Sequence, residues 1–245
     1  MHTYLHVETT VNAVVDFLKL GAQICSSLTG KETNNLFLVG ISQGGHTTAA
    51  VHRYLEKNPV KGLKLIASSS IAGAYNLREI SIPYAIEKKS VFYLGYLANS
   101  YCHIYNQPLS SIISAPYDTV VSKIFDGNHS YNQIKSWLPI SADKLYTKEI
   151  LTDIIMGQKD WFTEKLEENR TDNWKPIAKF RMYYGSKDDD VSPQDALSTY
   201  RQMKQLGGNV QLIATGNLNH LQTAYSALPK TRAFFDSLTV IQPNR

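Results

Sequence analysis

The sequence lacks the features that define several large classes of protein. Its 245 residues include only two cysteines, Cys25 and Cys102, too few for a disulfide framework, and we interpret both as buried free thiols. The seven histidines contain no His-Glu-x-x-His pattern and the cysteines have no metal-binding spacing, so we expect neither a metal site nor a cofactor. No apolar run of about eighteen residues is present, so we expect no transmembrane segment.

Signals of charge and of targeting are equally weak. The formal net charge is +4, and the lysines and arginines are scattered along the chain, which argues against a nucleic-acid partner. No basic, then apolar, then small-residue leader opens the sequence, so the compartment stays undetermined. What the chain does have is a hydrophobic content of 43%, which is enough for one full-sized domain with a sizeable core.

The most informative stretch is residues 36–45, an apolar run that ends in a Gly-x-Ser-x-Gly pentapeptide. A serine hydroxyl is a weak nucleophile unless it is held clear of the backbone beside a base. A sharp strand-to-helix turn would hold Ser42 in that way, with room left by Gly40 and Gly44. The amide N–H of Gln43 would then point toward the site where a tetrahedral oxyanion forms.

The flanks of the motif favour this interpretation. Residues 36–39 form a continuous apolar run, as expected for a strand that is covered on both faces. Residues 43–57 carry apolar side chains at helical spacing. The alternative is an ordinary strand-to-helix turn in which Ser42 merely caps the helix.

Strand and helix patterns alternate in the first and last parts of the chain. A strand, a helix and a strand in succession form a βαβ unit, which implies a parallel sheet. The predicted strands are 36–39, 63–67, 180–184 and 210–214, and the predicted helices are 9–29, 43–57, 193–206 and a last one from 220 to 238. We therefore expect an α/β fold in which a mainly parallel sheet of about four core strands is flanked by helices.

The middle of the chain has a different character. Strand signals fade over residues 78–175, where helical segments rich in Tyr, Lys and Ser are broken by prolines. We interpret this part as a mostly helical insertion into a core formed by residues 1–77 and 176–245. Within that core, Ser68-Ser69-Ser70 is interpreted as closing the second strand.

Two further residues follow predicted strands in the way that Ser42 does. Asp188 comes just after strand 180–184, and His220 comes just after strand 210–214. Loops after parallel strands open on one edge of a sheet, so a serine, an aspartate and a histidine are expected to meet there. Spacing favours Asp188 as the acid but leaves its neighbours Asp189 and Asp190 as alternatives.

At this point the sequence resembles a known family. Gly-Ile-Ser-Gln-Gly-Gly-His (40–46), Gly-x-x-Asp-x-x-Val (185–191) and Asn-His (219–220) are similar to motifs of α/β-hydrolases, particularly the bacterial lipase and esterase, or secretory-lipase-like, branch. The opening Tyr-Leu-His-Val-Glu-Thr (4–9) also resembles the segment before the elbow in that branch. The resemblance covers both parts of the predicted core well and the helical insertion poorly.

The resemblance implies a role for each candidate residue. Ser42 would be the nucleophile, His220 the general base, Asp188 the acid that orients it, and the Gln43 amide one oxyanion donor. The insertion 78–175 would act as a lid. Related hydrolases are often exported.

The chain also departs from the family pattern. Only 41 residues precede Ser42, where such hydrolases carry several strands and a His-Gly-rich loop that supplies a second oxyanion N–H. Residues 36–39 would then form an apolar sheet edge, a feature that natural proteins avoid. The chain could be a fragment of a longer hydrolase, which we favour, or the edge could be completed by a second copy in a homodimer, or covered by the chain's own helices.

These observations predict a serine hydrolase that cleaves small-molecule or lipid-like carboxylic esters through an acyl-enzyme on Ser42. A serine peptidase of the same fold is one alternative, because the same triad cleaves amides. A catalytically impaired fragment that lacks part of the oxyanion hole is the other.

Overall fold

The computed structural model describes residues 3–30 and 34–239. The chain divides into two compact units, which are described separately. The sheet unit comprises Val7–Tyr75 and Thr171–Arg245, and the helical unit comprises Met1–His6 and Asn76–Arg170.

Helices and strands occupy most of the described residues. The strands are β1 (Asn34–Ile41), β2 (Leu63–Ile71), β3 (Lys179–Tyr184) and β4 (Val210–Ala214). The helices are α1 (Val7–Thr29), α2 (Gln43–Lys57), α3 (Ile82–Glu87), α4 (Val91–Ile104), α5 (Tyr117–Ile124), α6 (Tyr131–Trp137), α7 (Ala142–Leu145), α8 (Lys148–Met156), α9 (Trp161–Glu168), α10 (Pro193–Gln205) and α11 (His220–Thr239). None of these helices combines the length and the apolar character that a membrane crossing needs.

The four strands form one parallel sheet in the order β1-β2-β3-β4. Successive side chains on a strand point to opposite faces, so each face is covered by different helices. One face packs against α1, α2 and α10, and the other packs against α11. The predicted α/β class, with a parallel sheet flanked by helices, is therefore confirmed.

Two predicted strands differ in detail from the observed ones. β2 continues through Ser68, Ser69 and Ser70, which are fully buried and do not form a loop. Serine can occupy a buried strand when its hydroxyl is satisfied, and Ser70 Oγ donates to the carbonyl of Gly45 at 2.9 Å. β1 extends over Asn34–Ile41 and packs on both faces, with Leu36 and Leu38 against α1 and α2 and the Phe37 ring 4.8 Å from the Phe235 ring of α11. It lies at the sheet edge, where its Val39 is 49% exposed.

One predicted thiol environment also differs. Cys102 is buried in α4, as expected, but Cys25 is exposed on α1. The helical pattern alone did not separate the packed face of α1 from its outer face.

The helical unit contains α3 to α9 and also the first described residues of the chain. Tyr4 stacks on Tyr96 with ring centroids 4.8 Å apart, and the Tyr4 amide donates to Ser100 Oγ at 2.8 Å. The Tyr101 hydroxyl donates to the carbonyl of Leu5 at 3.0 Å. These contacts hold residues 4–5 against α4. The boundaries expected from the sequence, 1–77, 78–175 and 176–245, and the lid role of the insertion stay predictions.

A buried chain of hydrogen bonds joins α2 to the sheet. His52 has no exposed surface; its Nδ1 lies 2.7 Å from Ser68 Oγ and its Nε2 lies 2.9 Å from Glu56 Oε1. The same Glu56 oxygen accepts from the amides of Ile177 and Ala178, each at 2.8 Å. An ionised carboxylate only accepts, so Nε2 carries the proton and Nδ1 accepts from the serine hydroxyl.

The environment of Glu56 links this chain of bonds to pH. Partial burial favours the neutral carboxyl, but the hydrogen bonds from His52, Ala178 and Ile177 outweigh that effect and lower the pKa of Glu56. A carboxyl with a lowered folded-state pKa stabilises the fold above its unfolded pKa, and the contribution is lost as the pH falls through the folded-state pKa.

We expect Glu56→Gln to destabilise the protein at pH 7 by about 1–3 kcal/mol, because hydrogen bonds to a charged acceptor become bonds to a neutral one. The difference from wild type should shrink as the pH falls toward the range where the Glu56 carboxyl itself is protonated. Urea unfolding at several pH values measures it. The matched control is Asp16→Asn, on a 74% exposed side chain, which should change stability little. A gap that persists unchanged in acid would contradict the assignment.

Candidate active site

Ser42 lies at the junction of β1 and α2 with a strained backbone. Its φ is 58° and its ψ is −120°, a conformation that a residue with a side chain rarely adopts. The Ser42 amide donates to the carbonyl of Ile71 at 2.9 Å, which ties the turn to the end of β2. The Ser42 side chain makes no capping hydrogen bond with α2, so the helix-cap alternative does not describe this residue.

Close backbone packing explains the glycines around Ser42, though not in the predicted pairing. A Cβ on Gly40 would collide with the carbonyl of Gly44 and with the Thr48 hydroxyl. A Cβ on Gly45 would lie 2.8 Å from the Cα of Gly73. A Cβ on Gly44 would meet no atom within 4 Å. The second position at which close packing requires glycine is therefore Gly45, and not Gly44 as predicted.

Asp188 lies in the loop after β3 and is 4% exposed. Its Oδ1 accepts from the amides of Asp190 at 3.0 Å and Val191 at 2.9 Å. Its Oδ2 lies 2.8 Å from Nδ1 of His220. Of the three adjacent aspartates, Asp188 is therefore the one whose carboxylate is held by the backbone and faces the histidine.

His220 is the first residue of α11, and the start of that helix is held by a reciprocal cap. Asn219 Oδ1 accepts from the Gln222 amide at 2.9 Å, and the Asn219 amide donates to Gln222 Oε1 at 3.1 Å. This arrangement orients the first turn that carries the imidazole. The sequence analysis missed both capping residues, although the Asn-x-x-Gln spacing was a usable signal.

Glycine at position 185 lets the two loops after β3 and β4 approach each other. A Cβ on Gly185 would collide with the carbonyl of Leu218 and the hydroxyl of Thr223. The Lys187 amide also donates to the Leu218 carbonyl at 3.2 Å. The contact between Asp188 and His220 therefore depends on this close passage of the backbone.

The surroundings of His220 tune its proton affinity. Burial of the ring alone lowers its pKa, but the hydrogen bond to Asp188 and the negative charges of Asp188, Asp190 and Asp189 outweigh burial and raise the pKa above its ordinary value. Since the Asp188 carboxylate accepts from Nδ1–H, the neutral ring carries its lone pair on Nε2. Nε2 is the nitrogen that can act as a base.

The structure brings Asp188 and His220 into contact and places Ser42 at the same end of the sheet. Ser42, Asp188 and His220 follow the carboxyl ends of β1, β3 and β4, which run parallel. Ser42 Oγ makes no hydrogen bond within residues 3–30 and 34–239. Gln43 is the first residue of α2, so its amide belongs to the helix N-terminus, where N–H groups favour an anion.

Comparison with known proteins identifies the fold. No protein-family model matches the chain, and no curated protein matches it. Among solved structures, a proposed hydrolase from Legionella pneumophila superposes with a TM-score of 0.89 at 22% identity, covering 100% of this chain and 67% of the other. The chain has an α/β-hydrolase fold.

Two further α/β-hydrolase-like structures agree. The rice cell wall degrading esterase LipA from Xanthomonas oryzae has a TM-score of 0.82 at 23% identity, covering 97% of this chain and 67% of its own. Lipase A of Candida antarctica has a TM-score of 0.77 at 12% identity, covering 98% of this chain and 57% of its own. This chain thus spans about two thirds of the length of the first two structures. At these identities the likeness establishes the fold, and activity has to be argued from the site.

The Asp188–His220 pair of this α/β-hydrolase fold makes a prediction about protonation. We expect Asp188→Asn to lower the pKa of His220, because it removes both the charge and the hydrogen bond that raise it. Asp189→Asn, which removes only a more distant charge, should lower it less. Titration of the His220 ring protons by NMR, assigned with His220→Gln, measures both. An equal effect of the two substitutions would contradict the geometry.

Proposed function

We propose that this protein is a serine hydrolase that cleaves carboxylic esters through an acyl-enzyme on Ser42. The observation that carries the proposal is the 2.8 Å contact between His220 Nδ1 and Asp188. This contact leaves Nε2 available as a base at the carboxyl ends of the strands, where Ser42 lies on a strained turn. Esterases and lipases among the structures of similar fold support an ester substrate.

The proposed reaction begins with transfer of the Ser42 hydroxyl proton to His220 Nε2 as Oγ attacks the ester carbonyl carbon. The carbonyl π-electrons move onto oxygen, and the amide of Gln43 donates to that oxyanion. Collapse of the tetrahedral intermediate breaks the ester C–O bond, and the imidazolium returns the proton to the departing alkoxide. Water then attacks the acyl-enzyme with the same base, which releases the carboxylic acid and regenerates Ser42.

Asp188 has an electrostatic and orienting role in this scheme. Its Oδ1 is anchored by two backbone amides, so Oδ2 is held in place to accept from Nδ1–H. A fixed carboxylate keeps the imidazole in the tautomer that has a free Nε2 and stabilises the imidazolium formed during attack. The raised pKa of His220 means that the ring becomes the neutral base only as the pH rises through that higher value.

Substrate selection belongs to other parts of the chain in this proposal. The triad chemistry alone does not separate esters from amides, so a serine peptidase is the second candidate. The helical insertion 78–175 would act as the lid that selects the substrate. A second oxyanion donor besides Gln43 would decide the rate, since loss of one such donor lowers kcat by about 10²–10³.

A fluorophosphonate probe tests the proposal directly. We expect the probe to add one covalent label at Ser42, seen by intact mass and peptide mapping, and to be excluded by Ser42→Ala. His220→Ala should slow labelling by orders of magnitude, because the hydroxyl then has no base. Ser27→Ala, on an exposed serine of α1, is the matched control and should label as the wild type does.

Turnover distinguishes the candidate functions. Hydrolysis of short p-nitrophenyl esters that depends on Ser42 supports the esterase, and amide cleavage with no ester cleavage would favour the peptidase. A folded chain that is not labelled by the fluorophosphonate and hydrolyses neither substrate would favour the catalytically impaired fragment.

The open edge at β1 supports a homodimer, one of the three explanations that the sequence left open for this strand. The β1 segment Asn-Asn-Leu-Phe-Leu-Val-Gly-Ile has no charged residue and no proline, the usual protection of an edge strand. Outward apolar side chains on α1 add to the exposed surface of the same unit: Phe17, Leu20, Ile24 and Leu28. Antiparallel pairing of two β1 strands about a two-fold axis would cover the same edge in both copies.

We expect Val39→Lys to weaken self-association by at least about tenfold, because each dimer would place two unpaired charges at the β1–β1 seam. Sedimentation velocity over a concentration series measures it. Gln205→Lys, which adds the same charge at the exposed end of α10, should leave association unchanged. A wild-type chain that remains monomeric at high concentration rules out the dimer without affecting the esterase proposal.

A further inference from the structure

A small polar cavity lies at the end of the sheet opposite the candidate active site. Its volume is about 210 Å³, and it is lined by the starts of β3 and β4 and by the last turns of α11. Ser42, Asp188 and His220 follow the carboxyl ends of their strands, whereas this cavity is at the amino ends. It therefore belongs to a different surface of the sheet unit from the triad residues.

Among the described residues, two cations and no carboxylate line this cavity. Lys179 and Arg181 are two residues apart on β3, so both project toward the α11 face of the sheet. In the part of the chain that the structure describes, neither forms an ion pair. Asp236 lies in the same part of α11 but does not line the cavity. Its two carboxylate oxygens accept from Nε of Arg232 at 3.0 and 2.8 Å.

The guanidinium of Arg181 is held in a fixed orientation. It lies over the ring of Phe234, 3.6 Å from the centroid. Its Nε and Nη2 donate to Oε1 of Gln211 at 3.2 and 2.8 Å. A planar guanidinium that is stacked and hydrogen-bonded in this way keeps its other N–H groups ready for a ligand without further ordering.

The neutral polar groups of the cavity divide into donors and acceptors. Since Gln211 Oε1 faces Arg181, the Gln211 amide NH₂ is left to donate. Asn209 Nδ2 donates to the Ile177 carbonyl at 3.3 Å, and the Ser237 hydroxyl donates to the Phe234 carbonyl at 2.7 Å. Asn209 Oδ1 and Ser237 Oγ are therefore left to accept.

We propose that this cavity binds a small phosphate monoester that also carries hydroxyl groups. Lys179, Arg181 and the amide of Gln211 would bind the phosphate oxygens, since a dianion matches the guanidinium fork and two cations that form no ion pair with the other described residues. Asn209 and Ser237 would accept from the ligand's hydroxyls. The volume is below the range of drug-sized pockets, so the ligand is a small one.

Isothermal titration calorimetry in a phosphate-free buffer tests the proposal with glycerol 3-phosphate, inorganic phosphate and glycerol as probes. We expect saturable binding of glycerol 3-phosphate, weaker binding of inorganic phosphate and no binding of glycerol. Lys179→Met and Gln211→Leu should each weaken binding by about tenfold, because each removes one phosphate contact. Lys204→Met, on an exposed lysine of α10, is the matched control.

Two results would overturn the site. One is the absence of saturable binding of either anion at about 10 mM ligand. The other is binding that Lys179→Met weakens no more than Lys204→Met does. Lys179 is exposed, so its variant should fold, and circular dichroism checks this. Ser42→Ala should bind glycerol 3-phosphate as the wild type does, so the result is independent of the esterase proposal.

Discussion

The parallel pairing of four adjacent strands is the constraint on which the rest of this structure depends. Because β1 to β4 all run in one direction, the residues that follow them meet at one edge of the sheet. The strained Ser42 turn and the paired side chains of Asp188 and His220 lie at the carboxyl ends of these strands. The same direction sends the starts of β3 and β4 to the opposite end, where Lys179 and Arg181 face a separate cavity. The parallel direction of the strands thus places Asp188 and His220 at one end of the sheet and the basic residues Lys179 and Arg181 at the other.

Buried polar contacts hold the elements of this sheet at fixed distances. Ser68, His52 and Glu56 connect β2, α2 and the segment before β3 through hydrogen bonds of 2.7 to 2.9 Å. At the other end of α2, Gly45 packs on Gly73 so closely that a side chain has no room. The helix that begins beside Ser42 is therefore fastened at both of its ends. A polar group in the core is tolerated when each of its donors and acceptors has a partner, and it then specifies one arrangement of the elements around it.

The features that the sequence predicted well are the local ones. The boundaries of α2 and β4 were those expected, because an apolar run of strand length or a regular helical spacing is visible within a few residues. The Ser42 turn was predicted from the same kind of signal. The errors were also local. Ser68-Ser69-Ser70 has the composition of a loop, yet it continues a buried strand in which α2 supplies hydrogen-bond partners to Ser68 and Ser70.

The sequence by itself determined the alternation of strands and helices, the turn that carries Ser42, and the presence of an aspartate and a histidine after later strands. Only the tertiary structure decided that Asp188, and neither of its two neighbours, holds the histidine, because that choice depends on backbone amides at 190 and 191 and on a ring 32 positions away along the chain. It also decided that Gly45 and not Gly44 is required for close packing, and that Arg181 stacks on Phe234. Such contacts join residues that are distant in the chain, and a pattern read along the sequence contains no information about which of them meet.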